Sequence, residues 1–398
     1  MSSLLRSPRA ENQPCRVAPS GWILPELDLA RLRRWPDVEA ENLYAADAAD
    51  RLLLDTAAPV LAGLQGNEIA VVNDHYGALT LSLAAAGFTG LRVHQDPLSA
   101  EQALANNARA LELEGFTHQA MGRELFTGTR LVLMQLPRSL DALEETAAFI
   151  AVGAAPDVTV LAGGRDKHMS PAMNQVLGTA FSSVSAGHGR QKARVLTAAA
   201  PRAEVSTRFP LQEVYDVGLP APMRIVAFGA TFGGAKLDVG TRFLLPALAG
   251  ARAARRAVDL GCGNGTIAAY LALTRPDLAV LATDQSSSAV ASARATAEAN
   301  RVSARVTVRR DDALSALADS SEELIVLNPP FHIGNAVHAG IALKLFADAG
   351  RVLAPGGELW TVWNSHLAYK QALNRLVGPT REVARNPKFT VTVSTRRP

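Results

Sequence analysis

The chain has 398 residues, 48% of them hydrophobic, and a formal net charge of +3, with a mean hydropathy of +0.08. That length suggests two domains rather than one, with ample apolar material for their cores. Residues 1–205 hold 18 Lys and Arg against 22 Asp and Glu, and the remainder 22 against 15, so the first half is not a uniformly basic surface. Two distant cysteines, Cys15 and Cys262, exclude a disulfide framework. Neither a signal-peptide h-region nor an apolar membrane span is found, and the expectation is a soluble cytoplasmic protein.

Residues 1–40 mix Pro, Arg and acidic residues and read as a loosely attached start. A helical pattern covers 45–64. Residues 69–72 then read as a strand ending in Asn73-Asp74-His75-Tyr76-Gly77, followed by an apolar helix over 79–86. A second strand, 91–93, ends in Gln95-Asp96; a helix bearing Asn106-Asn107 follows; and a third, 131–133, runs into Gln135-Leu136-Pro137. Arg190, Lys192, Arg194 and Arg202 form a basic stretch near Gly187, Gly189 and Pro201 that suits either phosphate contacts or a solvated turn. Residues 204–230, with Pro210, Pro220 and Pro222, suggest a linker with short strands. Phe232-Gly233-Gly234 and residues 237–243 then lead into a helix.

The order of strand, turn and helix now returns in stronger form. Ala257, Val258 and Leu260 make an apolar strand that breaks at Gly261, Gly263 and Gly265, and a helical pattern resumes with Ile267, Tyr270 and Leu271. Strand, glycine turn and helix together describe the first crossover of an open α/β sheet, with a ligand expected at the strand's carboxyl end. The spacing is neither that of a dinucleotide fingerprint nor that of a phosphate loop, and the turn alone fits a plain tight turn as well. A strand over 278–282 ends in Thr283-Asp284-Gln285, where a carboxylate can accept both hydroxyls of a ribose. A third, 306–308, ends in Asp311-Asp312-Ala313, suited to an adenine amine. A fourth, 324–327, runs into Asn328-Pro329-Pro330-Phe331.

This sequence of motifs resembles the class I S-adenosylmethionine-dependent methyltransferases, and Asn-Pro-Pro-Phe narrows the resemblance to those acting on exocyclic or amide nitrogens. Asn328 to His332, Asn364 with His366-Leu367 and Tyr369, and Asn386 with Lys388-Phe389 resemble the RsmC/RlmG family of ribosomal RNA guanine-N2 methyltransferases, the RlmG branch more closely. The resemblance implies an α/β protein of two tandem Rossmann-like class I methyltransferase domains, the first degenerate, with residues 1–205 supporting RNA binding and 206–398 carrying the chemistry. It implies S-adenosylmethionine as cofactor and ribosomal RNA, naked or within a subunit, as partner. It also makes 232–243 an element that closes over the cofactor, although Gly233 stands where a Ser is usual.

Residue by residue, Asp259, Gly261, Cys262, Gly263, Asn264 and Gly265 would cradle the methionine moiety, Asp284 the ribose, and Asp312 and Ala313 the adenine, with Asp311 as rival to Asp312 and with Gln285 and Asn328 also among the cofactor contacts. Asn328 and Pro329 would each accept one N–H of the target amine, Pro330 would help stiffen the turn, and Phe331 would stack on the base. Cys262 also suits a nucleophile by type, but its backbone is the expected contributor. His332, His338 and His366 lack the spacing of a zinc site, so no metal is expected. Arg252, Arg255, Arg256, Arg309, Arg310, Arg396 and Arg397 are further candidates for phosphate contact. In the first half, Asp74 to Gly77 corresponds to the glycine turn, Asp96 to Asp284, Asn107 to Asn300 and Leu136-Pro137 to Pro329-Pro330. Two other functions fit the motifs: a protein glutamine N-methyltransferase, and a noncatalytic RNA-binding protein on the same fold.

Overall fold

The computed structural model describes residues 27–330 and 336–397, with the side chains of 336–339 excepted. Phe331, His332, the side chain of His338 and Cys15 therefore lie outside the described residues.

Two seven-stranded sheets form the frame. The first contains β1 (Ile69–Val72), β2 (Leu91–His94), β3 (Phe116–His118), β4 (Leu131–Gln135), β5 (Thr159–Arg165), β6 (Phe181–Ala186) and β7 (Ala193–Pro201). A short hairpin of β8 (Leu211–Tyr215) and β9 (Met223–Ala227) follows. The second sheet contains β10 (Arg256–Leu260), β11 (Ala279–Asp284), β12 (Val306–Arg310), β13 (Glu322–Leu327), β14 (Leu353–Asn364), β15 (Thr380–Arg385) and β16 (Phe389–Thr395). The spatial orders are β3-β2-β1-β4-β5-β7-β6 and β12-β11-β10-β13-β14-β16-β15, so the second sheet repeats the first strand for strand. The first five strands of each order are parallel, the sixth is antiparallel to the fifth, and the seventh is antiparallel to the sixth.

Central parallel strands are buried on both faces, which explains continuous apolar runs such as Ile69–Val72, fully buried at every position. Separate apolar clusters cover the two faces of each sheet. In the second sheet, one contains Trp360, Val326 and Leu271, and the other Val258, Ile325 and Phe346.

The turns leaving β1 and β10 share a backbone. Gly77 and Gly265 are the N-caps of the following helices, Ala78–Ala85 and Thr266–Thr274. Counting back from these caps, Asn73 (φ +58) and His75 (φ +57) match Gly261 (φ +68) and Gly263 (φ +51). The first domain thus keeps the left-handed turn while carrying side chains where the second has open glycines. Pairing of Val72 with His94, and of Leu260 with Thr283, sets Gln95 opposite Asp284. This corrects the assignment of Asp96 to that place: the first domain has an amide, not a carboxylate, at the position equivalent to Asp284. In the same way Gln135, Leu136 and Pro137 match Asn328, Pro329 and Pro330.

The domains meet through their equivalent loops. Pro97 and Ser286 form an antiparallel bridge, with Leu98 N donating to Gln285 O at 2.9 Å and Ser287 N to Asp96 O at 3.0 Å. Asp96 Oδ1 also accepts from Ser287 Oγ and Ser288 N, the role that it takes instead of binding a ribose. Arg310 locks the seam, donating to Glu101 Oε1 at 2.7 Å and to the main-chain oxygens of Gln95, Asp96 and Gln285. Replacing one partner of a half-buried, multiply bonded ion pair leaves the others unmatched. Arg310→Ala should therefore lower stability by roughly 1–2 kcal/mol after allowance for solvent screening. It should also raise hydrogen exchange at 96–99 and 285–288, which mass spectrometry would read; unchanged exchange there would count against the seam.

Candidate active site

Asp259, at the buried end of β10, sends Oδ2 to the N–H of Ala268 at 2.9 Å, tying the strand to the first turn of the next helix. Its Oδ1 has no partner, and burial above all, with a contribution from the Asp284 charge, pushes its pKa up to about 7. Beyond it the turn divides its glycines by purpose. At Gly265 a Cβ would stand 2.7 Å from Ala293 Cα, so close helix packing excludes any side chain. At Gly261 and Gly263 a Cβ would meet nothing within 4 Å, and the turn there faces open space that a ligand can approach.

Asp284 crosses this space from β11. Its Oδ2 accepts from Gly263 N and its Oδ1 from Ser286 N, both at 2.9 Å. Each carboxylate oxygen retains lone-pair capacity for a hydroxyl. Burial raises the Asp284 pKa, while the two main-chain N–H groups oppose that shift. Asn264 points the other way, donating from Nδ2 to Gly234 O at 2.9 Å and Lys236 O at 3.3 Å, and thereby holds the loop over 228–238 against the turn. Cys262 is buried, and that burial, followed by the Asp284 and Asp259 charges, pushes its thiol pKa well up. A thiol held protonated in this way is a poor nucleophile, and the main chain of Cys262, with N bonded to Thr283 O, shapes the turn.

Gln285 reaches into the other domain. Its Oε1 accepts from Ser99 Oγ at 3.0 Å in the other domain, so its side chain serves the seam. Asp311 and Asp312 are also separated. Asp311 is buried and accepts from Ser315 Oγ at 2.6 Å and Ala316 N at 3.2 Å, closing its own turn. Asp312 is only half-buried and pairs with Lys344 at 2.5 Å, next to buried Ala313 at φ +57.

Asn328 stands at the carboxyl end of β13, on the side of β10 opposite Asp284. Its Nδ2 donates to Asp238 Oδ1 and to Thr241 Oγ1, both at 2.8 Å. Both amide hydrogens are thus engaged, and Oδ1 is left as a buried acceptor without a partner. Pro329 behind it is buried and Pro330 exposed. Asp238 is itself the N-cap of the helix Val239–Leu244, accepting from Thr241 N. Nothing in the sequence pairs these residues with one about ninety positions later. Asn364, at the same edge on β14, also has a buried unpartnered Oδ1, a polar group that the sequence reading did not place in the site. His366 lies exposed in the adjoining turn. Among the described residues, no group of three His, Cys, Asp or Glu could hold a metal ion.

The arginines divide by edge. Arg256 begins β10 and pairs with Glu322, while Arg252 and Arg396 donate to main-chain oxygens at that same lower edge. These three lie away from the cradle, and Arg310 is engaged in the seam.

A doubly wound sheet, an open glycine turn, a carboxylate on the adjacent strand and an oriented Asn-Pro-Pro on the other define an S-adenosylmethionine-dependent methyltransferase of class I, here in tandem. The Methyltransferase small domain family matches residues 222–393, and the RLMG N-terminal domain family matches 24–202. The Ribosomal RNA large subunit methyltransferase G of Streptomyces coelicolor is 34% identical over 371 residues, covering 90% of this chain and 96% of that one. Its namesake from Pseudomonas aeruginosa is 35% identical over 378 residues, covering 92% and 96%. The T. thermophilus 16S rRNA N2 methyltransferase RsmC, solved in complex with AdoMet and guanosine, shares the fold. It has a TM-score of 0.73 at 20% identity over 88% of this chain and 92% of that one. The chain belongs to the ribosomal RNA large subunit methyltransferase G family.

The raised pKa of Asp259 has a sign that can be checked. A carboxyl group at about 7 when folded and near the ordinary value of 3.8 when unfolded favours the folded state most below the unfolded value, and this contribution is lost as pH rises through about 7. Asp259→Asn removes that titration. Between about pH 4 and 7 its stability, followed by urea denaturation, should fall less steeply than that of the unsubstituted chain; parallel curves would place the titration elsewhere.

Proposed function

We propose that the chain transfers a methyl group from S-adenosylmethionine to the exocyclic N2 of a guanine in large-subunit ribosomal RNA, acting in the cytoplasm. Residues 206–398 carry the chemistry, and residues 1–205 form a support that no longer binds cofactor. The observation carrying this reading is the Asn328 amide: Asp238 and Thr241 consume its donors, so that Oδ1 remains a buried, unpaired acceptor at the carboxyl end of β13.

When bound, the cofactor supplies an electrophilic methyl. The open turn at Gly261 and Gly263 fits its methionyl part, Asp284 its ribose hydroxyls, and Asp312 with Ala313 its adenine; Asp311, already bonded within its turn, is the weaker choice. A guanine amine is a weak nucleophile, because its lone pair is delocalised into the ring. Acceptance of one N–H by Asn328 Oδ1 and the other by the Pro329 carbonyl would turn that lone pair toward the methyl carbon. Asn328 and Pro329 would in this way present the nitrogen to the methyl group that the cofactor supplies, and the surplus amine proton would pass to solvent. Rate enhancement on this scheme comes from orientation and water exclusion, and it requires no strong base. Phe331 is proposed to stack on the guanine.

Labelled S-adenosylmethionine should yield N2-methylguanosine in ribosomal RNA, assayed free and in large subunits by nucleoside mass spectrometry. Label in protein alone would replace this reading with glutamine methylation. Asn328→Ala should reduce kcat by about a hundredfold or more, an estimate for a lost orienting contact, while cofactor affinity changes little. Asn328→Asp should do at least as badly, since it sets a second carboxylate against Asp238. An active Ala variant would overturn the proposed clamp.

A further inference from the structure

The loop over 228–238 is held from three sides. At one end, Phe228 N donates to Ser292 Oγ at 2.9 Å, and Thr231 Oγ1 bonds Ser288 and Ser292. At the other, Gly234 and Lys236 present carbonyls to Asn264 in the glycine turn, and Asp238 accepts from Asn328. The third hold comes from the other domain. Glu145, on the helix Leu140–Gly153, accepts the N–H of Gly229 through Oε2 at 2.9 Å.

This contact is closely fitted. Glu145 is 5% exposed, and a Cβ on Gly229 would stand 2.5 Å from Asp141 O, so the loop lies directly against the helix. Ser139 Oγ reaches Gly229 O at 3.5 Å from that helix's N-cap. Glu145 Oε1 is buried without a partner. A half-satisfied buried carboxyl disfavours folding, and helix packing, which Leu143, Ala147 and Ile150 already provide on the sheet side, does not require it. Gly229 is the group that this carboxyl serves.

We propose that Glu145 is a positioning residue for methyl transfer: through Gly229 it fixes the loop that seats Gly234 and Lys236 on Asn264 and Asp238 on Asn328. The degenerate domain thereby helps to shape both the cofactor cradle and the base clamp. The inference rests on the proposed function and adds to it a group outside residues 206–398.

The test uses the full chain and three variants. Glu145→Gln keeps an acceptor for Gly229, Glu145→Leu removes it, and Gly229→Ala pushes the loop from the helix. Affinity for S-adenosylmethionine is measured by calorimetry, loop order by hydrogen exchange over 229–236, and kcat and KM with ribosomal RNA. The Gln variant should stay within about twofold of the unsubstituted chain, whereas Leu should weaken cofactor binding about tenfold, the scale of one lost hydrogen bond. Leu should also speed loop exchange and lower kcat with little change in the KM for RNA. Gly229→Ala should reproduce the Leu result, and it decides the matter if Leu fails to fold. Leu and Ala variants with unaltered cofactor affinity and kcat, whatever their thermal midpoints, would reduce Glu145 to domain adhesion and overturn the proposal. A Gln variant as impaired as Leu would overturn it too, since the acceptor would not be what matters. Cofactor binding by the unsubstituted chain without methylation of RNA would sink the proposed function but leave the loop effect measurable; no cofactor binding at all would sink both.

Discussion

Parallel pairing of β10 with β11 on one side and β13 on the other brings three distant segments to one edge of a sheet. Because all three strands run the same way, Leu260, Asp284 and Leu327 finish together, and the polar residues at or beyond those ends converge on one crevice. Crossover helices diverge to opposite faces at β10, which leaves that crevice open. Every later feature depends on this placement: the glycine turn must be left-handed to clear the space, Asp284 must reach across it, and Asn328 must be oriented from outside, by Asp238 and Thr241.

The duplicated domain shows which parts of that arrangement belong to folding and which to ligand. Left-handed φ values survive at Asn73 and His75, so the turn is a requirement of the strand-to-helix connection. Open space and the carboxylate did not survive. Gln95, equivalent to Asp284, donates to His75 O, and Gln135, equivalent to Asn328, donates to Asp50. Tyr76, equivalent to Asn264, donates to Asp37 at 2.5 Å and lies under Arg34, so the turn is tied to the chain's own early segment. Side chains that would have met a ligand have become internal ties.

Charge is allotted by the same geometry. The second half of the chain carries the basic excess, yet Arg256, Arg252 and Arg396 brace the edge opposite the site and Arg310 binds the domains together. On the first domain, Arg190 and Arg194 pair with Asp55 and Asp166. A guanidinium's several donors make it an effective brace for main-chain carbonyls as well as a phosphate ligand, and composition does not distinguish the two uses.

Sequence by itself determined the alternation of strands and helices, the repeat of one half by the other, the glycine turn, and the nature of the groups at the strand ends. Those signals are local: apolar periodicity, glycine where φ must be positive, and proline where an N–H is absent. Only the tertiary structure decided which neighbour each polar side chain would find. It assigned Gln285 to the seam, closed Asp311 on its own turn, moved the ribose equivalence from Asp96 to Gln95, and joined Asn328 to Asp238 and Glu145 to Gly229. Hydrogen bonds between residues about ninety positions apart leave no periodic trace in a sequence, because their partners are chosen by strand register and domain packing rather than by neighbours along the chain.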